Sequence, residues 1–235
     1  MKIFLGNIKK WLGDFVYLFY PDVCEICRKS LVTGEKIICL KCMADMPFTT
    51  YHTNYENPVS QLFWGKVRVE MATALFYFAK GSRYRKLLHR LKYGSKPEIG
   101  VLLGRELGAR INESPYFTAV DFIVPVPLHV SRLKQRGYNQ STMIGQGISE
   151  VTGIPLFDGA VVRTEATQTQ TRKTREERWK NVSGKFAVPD VQLLENKHVL
   201  LVDDVITTGS TLEAVAETLL QVAGLKLSVA VLAKA

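Results

Sequence analysis

The stretch VLLVDDVITTGST, residues 199–211, decides the fold of this chain. Its first four residues are apolar and mostly β-branched, which predicts a buried strand. The paired acids Asp203 and Asp204 follow that strand, and a loop of small hydroxyl residues comes next. Residues 211–222 place apolar side chains at helical spacing, so the loop leads into a helix. Free backbone N–H groups and the positive end of the helix dipole meet at a helix start, and the sequence therefore predicts an anion site there.

The acid pair and the loop together predict a ligand that carries a phosphate at one end and hydroxyl groups at the other. Acids beside a phosphate repel it unless they accept hydrogen bonds from sugar hydroxyls or act near a divalent ion. The thirteen residues resemble the ribose-phosphate motif of type I phosphoribosyltransferases. This resemblance implies that Asp203 and Asp204 hold the ribose hydroxyls, and that the 5-phosphate lies on Thr207, Thr208, Gly209, Ser210 and Thr211. The alternative is an ordinary strand-turn-helix whose acids cap the helix.

Strands alternate with helices along the chain, which predicts an α/β fold with a mainly parallel sheet covered by helices on both faces. Polar residues 43–65 read as a connection, so we expect an N-terminal helix and a small cysteine-containing module at 1–65 and a second domain at 66–235. The predicted strands are 67–79, 120–127, 160–163, 184–188, 199–203 and 226–232, and the predicted helices are 3–19, 82–92, 98–111, 139–152, 173–181 and 211–222.

All four cysteines lie in one short window with the pattern C-x2-C-x11-C-x2-C: Cys24, Cys27, Cys39 and Cys42. Two such knuckles supply the four thiolates of a closed, structural zinc site. One alternative is a pair of disulfides, which would need an oxidising compartment. Another is a redox-active C-x2-C pair, but that function needs only one such motif and this chain has two. The zinc interpretation is favoured, with the metal folding a segment too short to form its own core.

The net charge of the chain is +9, from 31 basic and 22 acidic residues, which suits a polyanionic partner. Basic residues concentrate at 80–96, 132–136 and 163–185. The 80–96 group predicts weak binding of single-stranded DNA, and the alternative is a solvated helix face. No apolar stretch is long enough to span a bilayer. The first residues lack a signal-peptide core, which favours a cytoplasmic location.

A second candidate site follows the strand at 120–127. Arg132 and Arg136 are four residues apart, so on a helix they share a side and can clamp a pyrophosphate, unless they are only surface arginines. Asn139 is placed to cap the next helix, whereas His129 reads as structural or solvent-facing. The polar stretch 163–186 is long for a loop and is typical of a lid.

Taken together, these features resemble the competence protein F (ComF) family of phosphoribosyltransferase-like proteins. The resemblance rests on the cysteine module and on Leu91-Lys92-Tyr93, Val124 to Leu128, Arg132-Leu133, Arg136 to Gln140, Thr167, Gln170, Arg178, Asn181 and Phe186. It implies a type I phosphoribosyltransferase fold and a role in DNA uptake and natural transformation. It also implies a pyrophosphate loop from Val126 to Arg136, and a loop at about 164–180, including Arg178, that closes over the substrate.

The reaction implied is displacement of pyrophosphate from C1 of phosphoribosyl pyrophosphate, with Mg²⁺ held mainly by substrate oxygens. Asp203, Asp204 and Arg136 are the candidate catalytic residues, with Val126, Arg132 and Arg178 binding substrate. No feature identifies a nucleobase pocket. Two other hypotheses therefore remain: a nucleotide-sensing or DNA-handling adaptor, and a DNA-binding partner of a competence helicase.

Overall fold

The computed structural model describes residues 21–77, 81–164 and 185–235. Three expectations fall outside these ranges: the helix at 3–19, the helix at 173–181, and most of the closing loop with Arg178. Within the described ranges, no helix is both long and apolar enough to cross a membrane.

The centre of the fold is a parallel sheet of four strands in the order β1-β6-β5-β2. A short antiparallel pair, β3 with β4, lies apart from it. The strands are β1 (Met71–Tyr77), β2 (Phe122–Pro125), β3 (Val162–Arg163), β4 (Phe186–Ala187), β5 (His198–Ile206) and β6 (Lys226–Lys234). The prediction of a mainly parallel α/β sheet is confirmed.

Six α-helices connect or cover these strands in the described part of the chain. They are α1 (Leu40–Ala44), α2 (Arg85–Tyr93), α3 (Glu98–Glu113), α4 (Val130–Arg136), α5 (Gln140–Thr152) and α6 (Ser210–Leu219). Single 3-10 turns lie at Tyr51–Thr53, Ser60–Phe63 and Gln192–Leu194. Apart from shifts of a few residues, the helices predicted within the described ranges are confirmed.

The two faces of the sheet have separate cores, each covered by helices. On one face, Ile123 and Leu200 pack with Leu103 of α3 and Ile144 of α5. Here α3 and α5 approach so closely that a Cβ on Gly104 would lie 2.2 Å from the carbonyl oxygen of Ile144. On the other face the apolar stripe of α6 packs on β5 and β6, through residues that include Leu212, Val215, Leu219, Val199, Leu201 and Val229.

The cysteine segment packs on the same core as α2 and α3. Its residues Ile26, Leu31 and Ile38 are buried in one cluster with Leu87 and Leu88. The connection that follows runs along the outer edge of β1. There the backbone N–H of Thr49 donates to Leu75 over 2.9 Å, and Asn57 Nδ2 donates to the carbonyl of Ala72 over 2.7 Å. A domain boundary at 65/66 stays a prediction.

The acid pair lies differently from expectation. The predicted strand ends at 203, but β5 continues to Ile206 because β6 pairs with it as far as Lys234. Asp203 and Asp204 are therefore part of the strand, near its carboxyl end, and do not follow it. Pro125 also belongs to a strand, and the ladder tolerates it because β2 lies at the edge of the described sheet.

Candidate functional site

Each acid of the pair has its own fixed partner. Asp203 Oδ1 accepts from Ser141 Oγ at 2.9 Å and from the backbone N–H of Asp204 at 2.8 Å. Asp204 Oδ2 lies 2.9 Å from Lys92 Nζ, and the Asp204 side chain is 11% exposed. Neither acid caps α6, whose N-cap is Gly209 without a side-chain cap bond. The ordinary strand-turn-helix alternative, in which the acids cap the helix, is therefore wrong.

Asp203 is poised between its two protonation states. Burial, and then the neighbouring charge of Asp204, raise the pKa of Asp203 to about 7, against the smaller opposing effects of its hydrogen bonds and of Lys92. A carboxyl group in this state can accept a hydrogen bond from a ligand hydroxyl or donate one to it. The side chain is suited to a sugar diol next to a phosphate, where two full negative charges would be unfavourable.

The hydroxyl loop and Asp203 line one small pocket, with a volume of about 50 Å³. Gly209, with a φ of 81°, is the N-cap of α6, and the first residues of that helix, Ser210 to Leu212, line the same pocket with their free N–H groups. The hydroxyl residues Thr207, Thr208, Ser210 and Thr211 are exposed around it. This is the loop, acid and helix start that the sequence predicts for an anion bearing a sugar.

The predicted pyrophosphate clamp is a helix, α4, with Arg132 exposed and Arg136 half-buried one turn apart. Arg136 Nη1 donates to Gln140 Oε1 over 2.7 Å, and its guanidinium lies 5.0 Å from the centre of the Tyr93 ring. Two further donors, Arg136 Nε and Gln140 Nε2, are buried and have no hydrogen-bond partner among the described residues. Buried donors of this kind normally find an acceptor, and a ligand oxygen would provide one.

Val126 holds the end of β2 against the neighbouring elements. Its N–H donates to Val202 over 2.9 Å, and its carbonyl accepts from Asn139 Nδ2 over 3.0 Å. Asn139 caps α5 by accepting from the N–H of Ser141, as predicted. His129 likewise caps α4, through Ser131, in agreement with its structural interpretation. A direct role for Val126 in substrate binding stays a prediction.

The C-terminal end of helix α2 contacts the site, and the sequence alone did not predict which residues it contacts. The carbonyl of Leu91 accepts from the hydroxyl of Tyr138 over 2.5 Å, Lys92 pairs with Asp204, and Tyr93 lies against Arg136. The triplet therefore touches both the acid pair and the 136–140 stretch. The triplet forms the last turn of a basic helix, and its family resemblance was the available signal, but its partners are distant in sequence.

The basic group 80–96 is largely engaged in ion pairs in the described part of the chain. Arg83 pairs with Asp45 at 3.0 Å, and Arg90 pairs with the buried Glu25 at 2.7 Å. Lys96 also pairs with Glu25. Arg83 is nevertheless exposed, and Arg90, Lys92 and Lys96 are half-buried, so carboxylates offset part of the charge of this group. Its binding of single-stranded DNA stays a prediction. Arg85 and Lys86 are exposed and make no ion pair with the described residues.

The four cysteine sulfurs all lie within 4.8 Å of one another. Every cysteine is a free thiol, and Cys27 Sγ lies 3.8 Å from Cys39 Sγ. Cys24 Sγ faces the backbone N–H groups of Ile26 and Cys39 at 3.5 and 3.4 Å. Burial opposes ionisation of Cys24, but nearby N–H groups outweigh it and lower the pKa to about 7. Four convergent sulfurs of this kind can hold a metal such as zinc.

Comparison with known proteins agrees with this arrangement. Residues 102–235 match the phosphoribosyl transferase domain. The chain belongs to this family. It is 29% identical over 219 residues to DNA utilization protein YhgH of Escherichia coli K12, covering 87% of this chain and 93% of that protein. It is 32% identical over 137 residues to Competence protein F of Haemophilus influenzae, covering 57% of this chain and 60% of that protein. The resemblance to the competence protein F family is confirmed.

Among solved structures, the chain is similar to the glutamine phosphoribosylpyrophosphate amidotransferase of B. subtilis. The TM-score is 0.42 at 20% identity, and the match covers 60% of this chain and 30% of that one.

Within this phosphoribosyl transferase domain, the structure brings most of the predicted site residues to one end of the sheet. Asp203 and the loop 207–211 share a pocket, and Asp204 adjoins it in the same strand. Arg136, the last residue of α4, is fixed by its hydrogen bond to Gln140. Arg178 lies outside the described residues. Lys92, Tyr93 and Gln140 carried the family resemblance without being assigned to the site, and Ser141 was not singled out; all four contact predicted site residues.

Proposed function

We propose that this protein binds phosphoribosyl pyrophosphate together with Mg²⁺ and acts in the uptake or use of DNA. The observation that carries the proposal is the shared pocket of Asp203 and the hydroxyl loop at the start of α6. A pocket of about 50 Å³ is small, and it suits one phosphate group with the sugar lying across its rim.

The ribose end of the ligand is matched by the acid pair. Asp203 is already fixed through Oδ1 by Ser141, and Asp204 is fixed through Oδ2 by Lys92. Each carboxyl group therefore has one oxygen fixed, and the pair can accept the two hydrogen bonds that a vicinal diol would donate. Preordered acceptors lose less entropy on binding than mobile ones, so the arrangement supports recognition of ribose.

The pyrophosphate end is matched by unsatisfied donors. Arg136 Nε and Gln140 Nε2 are buried without partners among the described residues, and they belong to one bonded pair. Arg132 lies one helical turn before Arg136 and is exposed. Phosphate oxygens accept charge-assisted hydrogen bonds from guanidinium groups, so these three side chains support a pyrophosphate subsite.

The residues present fit a magnesium ion that the ligand itself carries. The acid pair offers carboxylate oxygens, which Mg²⁺ prefers, but among the described residues only the cysteines form a group of three or more metal-binding side chains. Asp203 and Asp204 would therefore hold Mg²⁺ together with oxygens of the ligand. When bound, the ion would neutralise charge on the pyrophosphate.

The reaction proposed is a phosphoribosyl transfer. The bond between C1 of the ribose and the pyrophosphate oxygen breaks, and the electron pair leaves with the pyrophosphate. An acceptor nucleophile forms the new bond to C1. Arg136 and Arg132 would stabilise the negative charge on the leaving group, which is electrostatic preorganisation and needs no strong base. The acceptor is not specified by any described residue.

The four cysteines support a bound zinc ion with a structural role. Their sulfurs lie within 4.8 Å of one another, which fits a four-coordinate site with no open position for substrate. Four free thiols also fit a reducing compartment such as the cytoplasm.

A second candidate function is a non-catalytic nucleotide-sensing or DNA-binding adaptor that works with a competence helicase. The observation that favours it is that the curated relatives carry names for DNA utilization and competence, and neither of these names refers to a transfer reaction. The net charge of +9 and the exposed Arg85 and Lys86 also suit a polyanion.

Calorimetry separates these functions. The full chain is titrated with phosphoribosyl pyrophosphate and with ribose 5-phosphate, each with and without Mg²⁺. The proposal expects both to bind, with Mg²⁺ strengthening the pyrophosphate ligand, and it expects Asp204→Asn to weaken both. Absence of binding at millimolar ligand would overturn the ligand proposal and leave the adaptor. Binding without release of pyrophosphate against any nucleobase or nucleoside acceptor would favour a sensor over an enzyme.

A further inference from the structure

The C-terminal end of helix α2 contacts residues of the proposed ribose-phosphate site. Its last residues, Leu91, Lys92 and Tyr93, contact Tyr138, Asp204 and Arg136 respectively. The helix is held at its other end as well, because the hydroxyl of Tyr84 donates to the carbonyl of Cys42 over 3.2 Å. The helix is therefore anchored at both ends, and the position of a side chain on it is fixed relative to the site.

Lys92 is the residue of the triplet that meets the acid pair. Its Nζ lies 2.9 Å from Asp204 Oδ2, with the lysine side chain 28% exposed and the Asp204 side chain 11% exposed. The other carboxylate oxygen of Asp204 takes no hydrogen bond or ion pair from the residues that the structure describes. One oxygen is thus held and the other is available to a ligand.

We propose that Lys92 is a positioning residue that orients Asp204 to accept a hydrogen bond from one ribose hydroxyl. This proposal rests on the proposed ribose-phosphate function of the site. Lys92 plays for Asp204 the part that Ser141 plays for Asp203, because each fixes one oxygen of its carboxyl group. Lys92 also offsets the repulsion between the two adjacent acids, which would otherwise turn one of them away.

The nature of the residue matters because a lysine can hold a carboxylate only by its charge and its donors. A purely structural ion pair would affect the stability of the protein, or the affinity for every anion to the same extent. A positioning role affects the energy of one specific hydrogen bond, which runs from a ribose hydroxyl to Asp204. Ligands that lack that hydroxyl should not sense the loss of Lys92 in the same way.

The test measures affinities of the full chain by calorimetry for ribose 5-phosphate, 2-deoxyribose 5-phosphate and 3-deoxyribose 5-phosphate. The variants are Lys92→Met, Lys92→Arg and the matched control Lys86→Met, which alters an exposed lysine of the same helix. A thermal melt of each variant is recorded first. If Lys92→Met does not fold, Lys92→Gln replaces it, because glutamine keeps a donor without the charge.

The wild-type protein is expected to bind each deoxy analogue more weakly than ribose 5-phosphate. In Lys92→Met, the affinity for ribose 5-phosphate should fall about tenfold, the scale of one charge-assisted hydrogen bond. The penalty for one of the two analogues should disappear, Lys92→Arg should restore most of it, and Lys86→Met should match the wild type.

Two results would overturn the inference. One is unchanged affinity in Lys92→Met, and the other is an equal loss for all three ligands, which would indicate only a general effect of charge. Failure of the wild-type protein to bind any of the three ligands would instead show that the proposed function is wrong, and this inference would fall with it. The wild-type measurement keeps the two failures distinct.

Discussion

The hydroxyl of Ser141 donates to Oδ1 of Asp203 over 2.9 Å and joins the first turn of α5 to the acid pair of β5. Ser141 is itself buried, and its backbone N–H is capped by Asn139. The carboxyl group is therefore held by a residue with little freedom. Burial next to Asp204 raises the pKa of Asp203 to about 7 from its ordinary 3.8, so the charged form is unfavourable in the folded chain.

Asp203→Asn should stabilise the protein at alkaline pH. The folded state holds the Asp203 proton more tightly than the unfolded chain does, so this group favours folding below about pH 4, and that contribution is lost as the pH rises through about 7. Asparagine keeps the acceptor for Ser141 without the charge. Thermal melts should show a gain of up to about 4 kcal/mol at pH 8 and little at pH 4, since the pKa is raised by about three units and each unit corresponds to about 1.4 kcal/mol.

The exposed Asp190→Asn provides the control and should leave the melting temperature unchanged at both pH values. Equal destabilisation by Asp203→Asn at pH 4 and pH 8 would show that its charge is not disfavoured in the folded state. The same variant should bind ribose 5-phosphate more weakly at pH 8, so stability and function would move in opposite directions.

Arg136→Ala should separate the two ends of the ligand. Arg136 is placed with Gln140 at the proposed pyrophosphate subsite, and neither residue lines the pocket of the hydroxyl loop. Affinity for phosphoribosyl pyrophosphate should fall by roughly 1.5–3 kcal/mol, the cost of losing a charged hydrogen-bond partner, while affinity for ribose 5-phosphate should stay nearly unchanged. Calorimetry of both ligands checks this, with Arg105→Ala on the surface of α3 as control. Equal losses of affinity for both ligands would show that Arg136 does not belong to a separate pyrophosphate subsite.

The sequence was sufficient where structure follows from local pattern. The apolar run before Asp203, the loop through Gly209 and the stripe of α6 are contiguous, so their order alone predicts a strand, a turn and a helix start. The cap at Asn139 and the cysteine cluster were predictable for the same reason. Each depends on residues within one short stretch of the chain, whose spacing restricts their geometry.

The sequence was insufficient where partners come from distant elements. Lys92 and Arg90 read as parts of one basic helix face, yet they turn to Asp204 and Glu25 on different segments. A buried carboxylate needs a cationic partner, so Asp204 and Glu25 pair with these cations. Which carboxylates are buried depends on the packing of the whole fold, and the local sequence does not show it. The length of β5 was misjudged likewise, because its end is set by pairing with β6.

Cys27→Ser should release one zinc ion per chain. The four sulfurs converge within 4.8 Å, and loss of one thiolate breaks the site. Metal binding of this kind contributes on the order of 10 kcal/mol to folding of the module. Elemental analysis should show the loss of zinc, and limited proteolysis should cut within residues 1–65 while 66–235 resists. The exposed Lys29→Ser in the same knuckle serves as control. Protein purified without chelator and found free of zinc would refute this prediction.

Single-stranded DNA binding, if it uses α2, should depend on Arg85 and Lys86. These are its exposed basic residues without ion pairs in the described part of the chain. The double variant Arg85→Glu, Lys86→Glu should weaken binding and reduce the salt slope by about one for each phosphate that the protein no longer neutralises. Fluorescence anisotropy over a salt series measures both quantities. Arg105→Glu, a single charge reversal on α3, is the control. Binding that is insensitive to salt would show that the helix is only a solvated face.

Gly209→Ala should weaken phosphate binding through the backbone. Gly209 has a φ of 81°, and an added Cβ would lie no closer than 3.7 Å to Ile206 and 3.9 Å to Leu62, so space is available but the conformation is strained. The strain should cost roughly 1–3 kcal/mol of stability. Gly153 is a matched control, because it has a φ of 73°, has nothing within 4 Å of an added Cβ, and ends α5 away from the loop. Both alanine variants should lower the melting temperature by similar amounts, but only Gly209→Ala should weaken ribose 5-phosphate binding, since only there do the loop N–H groups shift. Equal affinities in the two variants would show that the loop does not carry the phosphate.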